Sequence, residues 1–336
     1  MEARMFHVEH RKGSFVDIKS DSDVTASDTL SAIGGTHAET SNTRRIILFL
    51  AFAFGIAWLT GLAIYLTGGL VNSPQIAPGI TLALVLMATA YMWAPALANI
   101  LTRLITREGW KDMGLRPNFG KGWPFWLAGW FLPAVMTLAG AALFFVIFPQ
   151  YFDTSLATVQ KLMARAPSGS NLTPWTIVII QLVQGVLISP IVNSIATFGE
   201  EFGWRAYLQP KLLPLGGRKA MLLIGVIWGI WHWPVIFMGY EYGFSYPGYP
   251  WAGPLLFLWV TFGLGIFLGW LAIRSKSIWP AVIGHAAING FAGAAILLVK
   301  GQPNPLLGPL PVGIIGSLGF AVVSLAIFFS PKALKP

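Results

Sequence analysis

Two carboxylates, two imidazoles, a guanidinium and a carboxamide lie inside or at the edge of long apolar stretches of this chain. They are Glu200, Glu201 and Arg205, then His232, then His285 and Asn289. A charge at the centre of a bilayer costs about 2.5–3.5 kcal/mol on insertion scales, so such residues are usually retained for function. Glu201 and Arg205 are four apart and share one helix face. Glu200 points about 100° away from Glu201, which leaves it free for a different task. His285 and Asn289 are also four apart and present one polar stripe. His232 stands between Trp231 and Trp233, which shield it from lipid.

A carboxylate beside an imidazole can deprotonate a water. A second imidazole and a carboxamide can donate hydrogen bonds to a developing oxyanion. The set therefore suits peptide hydrolysis without a nucleophilic side chain. Alternatively Glu200, His232 and His285 could hold a zinc ion with an open position for water. Other hydrolytic centres fit poorly. The chain has no cysteine, which removes cysteine nucleophiles and thiolate metal sites. No Asp lies in an apolar stretch, and there is no His-Glu-x-x-His helix. No histidine follows the serine of Gly316-Ser317-Leu318-Gly319, so its small residues read as helix packing. Two non-hydrolytic readings stay open: a proton- or cation-coupled transporter, which also needs buried Glu and His, and a catalytically silent immunity protein.

Several elements must position these groups. Of 336 residues, 55% are hydrophobic and only 10% charged, far below the charge content of soluble domains. About 20 apolar residues span the hydrocarbon core. Eight stretches meet that test: Ile46–Leu66, Ile80–Leu101, Trp123–Phe148, Trp175–Phe198, Ala220–Met238, Leu255–Ile273, Ile278–Val299 and Val312–Phe329. In lipid the backbone must satisfy itself, and strand alternation is absent. The expected fold is therefore all-α, a polytopic bundle of about eight transmembrane helices. The fourth stretch is interrupted by Pro190 and Asn193, and its helix is expected to continue past Glu200 toward Leu213.

The chain carries a net charge of +9. With the N-terminus inside and the spans alternating, nearly every basic residue falls on one side, while only Lys161, Arg165 and Lys300 fall outside. That is the positive-inside pattern, so the charge marks cytoplasmic loops rather than nucleic-acid binding. A multi-pass protein of the bacterial cytoplasmic membrane, with both termini cytoplasmic, is expected. The glutamates and histidines should then lie in the inner half of the bilayer, reachable from the cytoplasm. Residues 1–45 are rich in Ser, Thr, Asp and Gly and read as a disordered cytoplasmic tail, with His7, His10 and His37 solvated. Residues 46–122 form two helices and a basic loop, and residues 123–336 the core and last helix.

Three motifs in order carry a family resemblance. Glu200-Glu201-Phe202-Gly203-Trp204-Arg205 fits Glu-Glu-x-x-x-Arg. Trp228-Gly229-Ile230-Trp231-His232 fits aromatic-x-x-x-His, with Trp where Phe is more usual. His285-Ala286-Ala287-Ile288-Asn289 fits His-x-x-x-Asn. Together they resemble the CPBP family, also called Abi, which includes the CAAX prenyl proteases and bacteriocin-processing or self-immunity proteins. The basic loop Gly109–Pro117 looks like a segment that many bacterial members carry. The resemblance covers about Trp123 to Val299. It implies a glutamate-dependent intramembrane endopeptidase, long annotated in the family as a metalloprotease, acting on a membrane-associated peptide or protein. Glu200 would activate water with help from His232. His285 and Asn289 would stabilise the oxyanion. Glu201 and Arg205 would hold the geometry, with a direct catalytic share for Glu201 left open, and Trp228 would support the site. Zinc is possible on this reading but not required.

Overall fold

The structure, a computed structural model, describes residues 21–164 and 172–335. His7, His10 and Arg165 lie outside the described residues. The chain divides after Arg44. Helix α1 runs Asp21–Leu66.

The other long helices are α2 (Leu82–Thr106), α3 (Phe119–Ile147), α4 (Pro174–Leu187), α5 (Ser189–Gly203), α6 (Gly217–Trp231), α7 (Ala252–Ser275), α8 (Trp279–Phe291) and α9 (Leu318–Phe329). Among the described residues the only sheet is a short antiparallel hairpin, β1 (Gln75–Ala77) with β2 (Ile80–Thr81). Among the described residues five helical segments are long and apolar enough to cross a membrane, and a pair bent by 46°, Pro174–Leu187 with Ser189–Leu215, makes six if it is one span. The bend falls at Ile188, just before Ser189-Pro190, and the helix does continue past Glu200.

Two of the eight expected spans are shorter than a crossing. The fifth stops as α6 at Trp231, because Pro234 has no N–H to continue the ladder. The freed Trp231 carbonyl accepts from Tyr91 Oη at 2.6 Å and Trp58 Nε1 at 3.3 Å, as a backbone group in lipid requires. The eighth is only the 12-residue α9. Gly308-Pro309-Leu310-Pro311 before it forms turns rather than helix.

The basic residues gather at one end of the bundle. Arg45 and Lys211 both pair with Glu108. Ile278 N–H donates to the Gly114 carbonyl at 2.9 Å, and Arg218 Nε to the Phe328 carbonyl at 2.7 Å. Helix association here rests on close backbone approach and buried polar bonds, since lipid offers little hydrophobic drive between helices. The clearest case is α5 against α2. Gly199 faces the Met92 carbonyl so closely that an added Cβ would lie 2.7 Å from it, and Gly203 sits directly on Pro95. Gly199-x-x-x-Gly203 is a small-xxx-small contact, and the two glutamates lie between its glycines.

Candidate active site

Helix α5 is fixed on both sides before it presents Glu200 and Glu201. Asn99 of α2 donates from Nδ2 to the Phe202 carbonyl at 2.8 Å, and Arg103 Nε holds Asn99 Oδ1 at 2.7 Å. Thr197 Oγ1 donates to the Val282 carbonyl of α8 at 3.1 Å. After Gly203 the helix widens into one π-type turn, Trp204–Leu208. Such bulges recur at functional sites because they re-aim side chains.

The two glutamates then diverge, as their 100° offset requires. Glu200 is 2% exposed, and its Oε2 accepts from Trp228 Nε1 at 2.7 Å. Glu201 is fully buried. Its Oε2 accepts from Arg205 Nε at 2.7 Å, and its Oε1 from His285 Nδ1 at 3.0 Å. A carboxylate can only accept, so Nδ1 of His285 carries the proton and Nε2 faces away from Glu201.

His232 is placed by the end of α6. The last turn tightens, with the His232 N–H bonding the Gly229 carbonyl. The Trp228 carbonyl is thereby released and accepts from His232 Nδ1 at 2.8 Å. Nε2 of His232 keeps a lone pair. Trp228 also meets the His285 ring edge-on, with centroids 5.2 Å apart, and the Arg205 guanidinium carbon lies 5.8 Å from its ring centre. One residue therefore touches Glu200, Arg205, His232 and His285.

A cavity brings the set together. Glu200, Trp228, His232, His285 and Asn289 all line it, with Phe257 and Val260 among its apolar walls. Glu201 and Arg205 do not line it; they stand behind His285. Of the sequence candidates, the cavity thus collects one carboxylate, both imidazoles, the carboxamide and the indole. It does not collect the Glu201–Arg205 pair.

The cavity lies toward the end of the bundle opposite the basic residues. Tyr240 and Glu241, which follow α6, line it together with Pro311 and Val312, which precede α9. Both segments join helices at the end opposite Arg218 and Lys276. Sequence reasoning also missed Glu241, because an acid just past a span looks like ordinary loop. Its available signal was its position between Tyr240 and Tyr242. Burial pushes the Glu241 carboxyl up to about 7, against the lowering effect of Tyr240.

The zinc alternative required Glu200, His232 and His285 to converge on one point. Among the described residues no three His, Asp or Glu side chains are disposed to hold a metal ion. The serine of the Gly316–Gly319 run is structural: Ser317 Oγ accepts from Trp259 Nε1 at 3.0 Å and donates to the Ile314 carbonyl at 2.9 Å.

Fold and site together define a multi-pass helical membrane protein with a buried carboxylate–imidazole centre. Residues 173–291, which include that centre, match the family model described as Type II CAAX prenyl endopeptidase Rce1-like. The chain is also 37% identical over 97 residues to a protein named CAAX prenyl protease 2 from Methanococcus maripaludis. That alignment covers 28% of this chain and 35% of the relative, so the chain spans about a third of the length of the curated relative it matches. On these matches residues 173–291 are similar to the CPBP, or CAAX-protease, family.

Proposed function

We propose that this protein is an intramembrane endopeptidase that cuts a membrane-associated peptide or protein by attack of an activated water. The observation that carries the reading is the single cavity shared by Glu200, His232, His285 and Asn289. Glu200 takes a proton from the water as its oxygen bonds to the scissile carbonyl carbon. His232 assists with the lone pair on Nε2, since its Nδ1 is committed to a carbonyl. The carbonyl oxygen becomes an oxyanion that accepts from Asn289 Nδ2 and from His285 Nε2–H when that ring carries both protons. Glu201 stabilises that ring through Nδ1. As the C–N bond breaks, the proton held by Glu200 passes to the leaving nitrogen.

Arg205 acts by holding Glu201 and is a positioning residue. The basic end of the bundle faces the cytoplasm, so substrate enters the cavity from the other end or laterally from the bilayer.

The test incubates purified protein with membrane-anchored and prenylated peptides, comparing wild type with Glu200→Ala, each with and without a strong chelator. Cleavage by wild type alone, undiminished by chelator, is expected. Equal cleavage by Glu200→Ala would sink the mechanism. Ion flux in proteoliposomes without any cleavage would move the protein to the transporter class.

A further inference from the structure

A second cavity lies at the basic end, on the other side of Arg205 from the catalytic one. Its charged and amide lining is Lys111, Asp112 and Arg116 from the loop after α2, Arg205 and Gln209, and Lys276 from the turn between α7 and α8. That is four cations against one carboxylate. Lys111, Arg116 and Lys276 are exposed, while Arg205 is 2% exposed.

The guanidinium is only partly used. Nε is bonded to Glu201, yet Nη1 and Nη2 are both buried without a hydrogen-bond partner among the described residues. Buried polar atoms are almost always paired, so two unpaired donors on one charged group call for a specific cause. Arg205 lines this cavity and not the catalytic one. Two amino groups side by side match the paired oxygens of a phosphoryl group. Three further cations at the mouth exceed what a single carboxylate would neutralise. Trp110, exposed and also lining the cavity, suits the headgroup level of a bilayer.

We propose that this cavity binds a phosphate-bearing anion, with Arg205 at its floor and Lys111, Arg116 and Lys276 drawing the anion in. The phosphoryl group comes from a lipid headgroup or from free phosphate, and the two sources share this recognition chemistry.

The test uses the purified full chain in an uncharged detergent and follows binding by titration calorimetry. The probes are inorganic phosphate and short-chain phosphatidylglycerol, with acetate as the carboxylate control. Saturable binding of at least one phosphate probe is expected. The Lys111→Gln, Arg116→Gln, Lys276→Gln triple variant should weaken it at least tenfold. Gln209→Glu leaves the mouth cations intact but offers Arg205 an internal carboxylate, and it should abolish binding. Thermal unfolding of both variants verifies that they are folded. Phosphatidylglycerol binding without phosphate binding would assign the headgroup source, and the reverse would assign free phosphate. The proposal is overturned if wild type binds neither probe, if acetate binds as tightly as phosphate, or if either variant binds like wild type. None of these readouts depends on proteolysis.

Discussion

Trp228 Nε1 donates to Glu200 Oε2 at 2.7 Å, which makes the indole the partner that orients the carboxylate proposed to activate water. The ring itself also packs against His285. Phenylalanine would keep most of that packing and lose only the N–H. A hydrogen bond to a charged group is worth about 1.5–3 kcal/mol net, and about 1.4 kcal/mol is tenfold in rate. Trp228→Phe should therefore lower kcat roughly tenfold or more, with KM little changed. A kinetic comparison on one cleaved peptide checks this; an unchanged kcat would remove the orienting role.

Asn289 is exposed to the cavity, and its predicted role is that of one oxyanion donor. Removing such a donor typically costs about 10²–10³ in kcat. Asn289→Ala should show that loss, while Glu200→Ala should leave no activity in a protein that still folds. An effect of Asn289→Ala confined to KM would assign the amide to substrate binding instead.

Much of this site was legible in the sequence because a charge inside an apolar run is rare. Glu200, Glu201, His232 and His285 stand out for that reason alone, and the four-residue spacing of Glu201 and Arg205 anticipated their pairing. What the sequence hid is tertiary. Nothing in the chain says that Glu201 will bond His285 across 84 positions. Glu241 sits past the end of a span, where acids are common. Asn99 and Arg103, buried in α2 and tying it to α5, resemble a polar edge and an ordinary cytoplasmic cation. The span count went astray for a related reason: hydropathy counts apolar residues, whereas Pro234 and the Gly308–Pro311 run decide whether they form helix.

Glu241 gives the site a pH signature. Burial raises its carboxyl to about 7, so the folded protein holds the proton that an unfolded chain would release near the ordinary carboxylate value. The neutral form is favoured on folding. The sign follows: this contribution to stability is fully present below the unfolded value and is lost as pH rises through about 7. Ionised Glu241 also adds negative charge to the cavity proposed to hold the oxyanion. Activity should fall as pH rises through about 7, and Glu241→Gln should flatten that limb of the pH–rate profile. An identical profile for wild type and variant would exclude Glu241 as the titrating group.

Glu108 has the opposite sign. Burial raises its carboxyl, but the hydrogen bond and charge of Lys211, with Tyr207 and Arg45, outweigh that and hold it below the usual range. Its stabilising effect is present above the ordinary carboxylate value and is lost as pH falls through the lowered one. Glu108→Gln should therefore lower the melting temperature at pH 7, and the gap to wild type should narrow toward pH 3. A gap independent of pH would mean that packing, not charge, accounts for the loss.

The approach of α5 to α2 sets where both glutamates stand, and Gly203 is its tightest point. A Cβ there would collide with Pro95, including its backbone carbonyl, so relief requires the helices to separate. Overpacking of this kind typically costs about 1–3 kcal/mol. Separation would also draw the Phe202 carbonyl away from Asn99 and tilt Glu200 from Trp228. Gly203→Ala should lower the melting temperature and depress kcat together, although Gly203 does not line the catalytic cavity. Gly55, whose added Cβ would meet nothing within 4 Å, serves as the control, and Gly55→Ala should change neither. If Gly203→Ala matched Gly55→Ala in both measurements, the close contact would not be what positions the site.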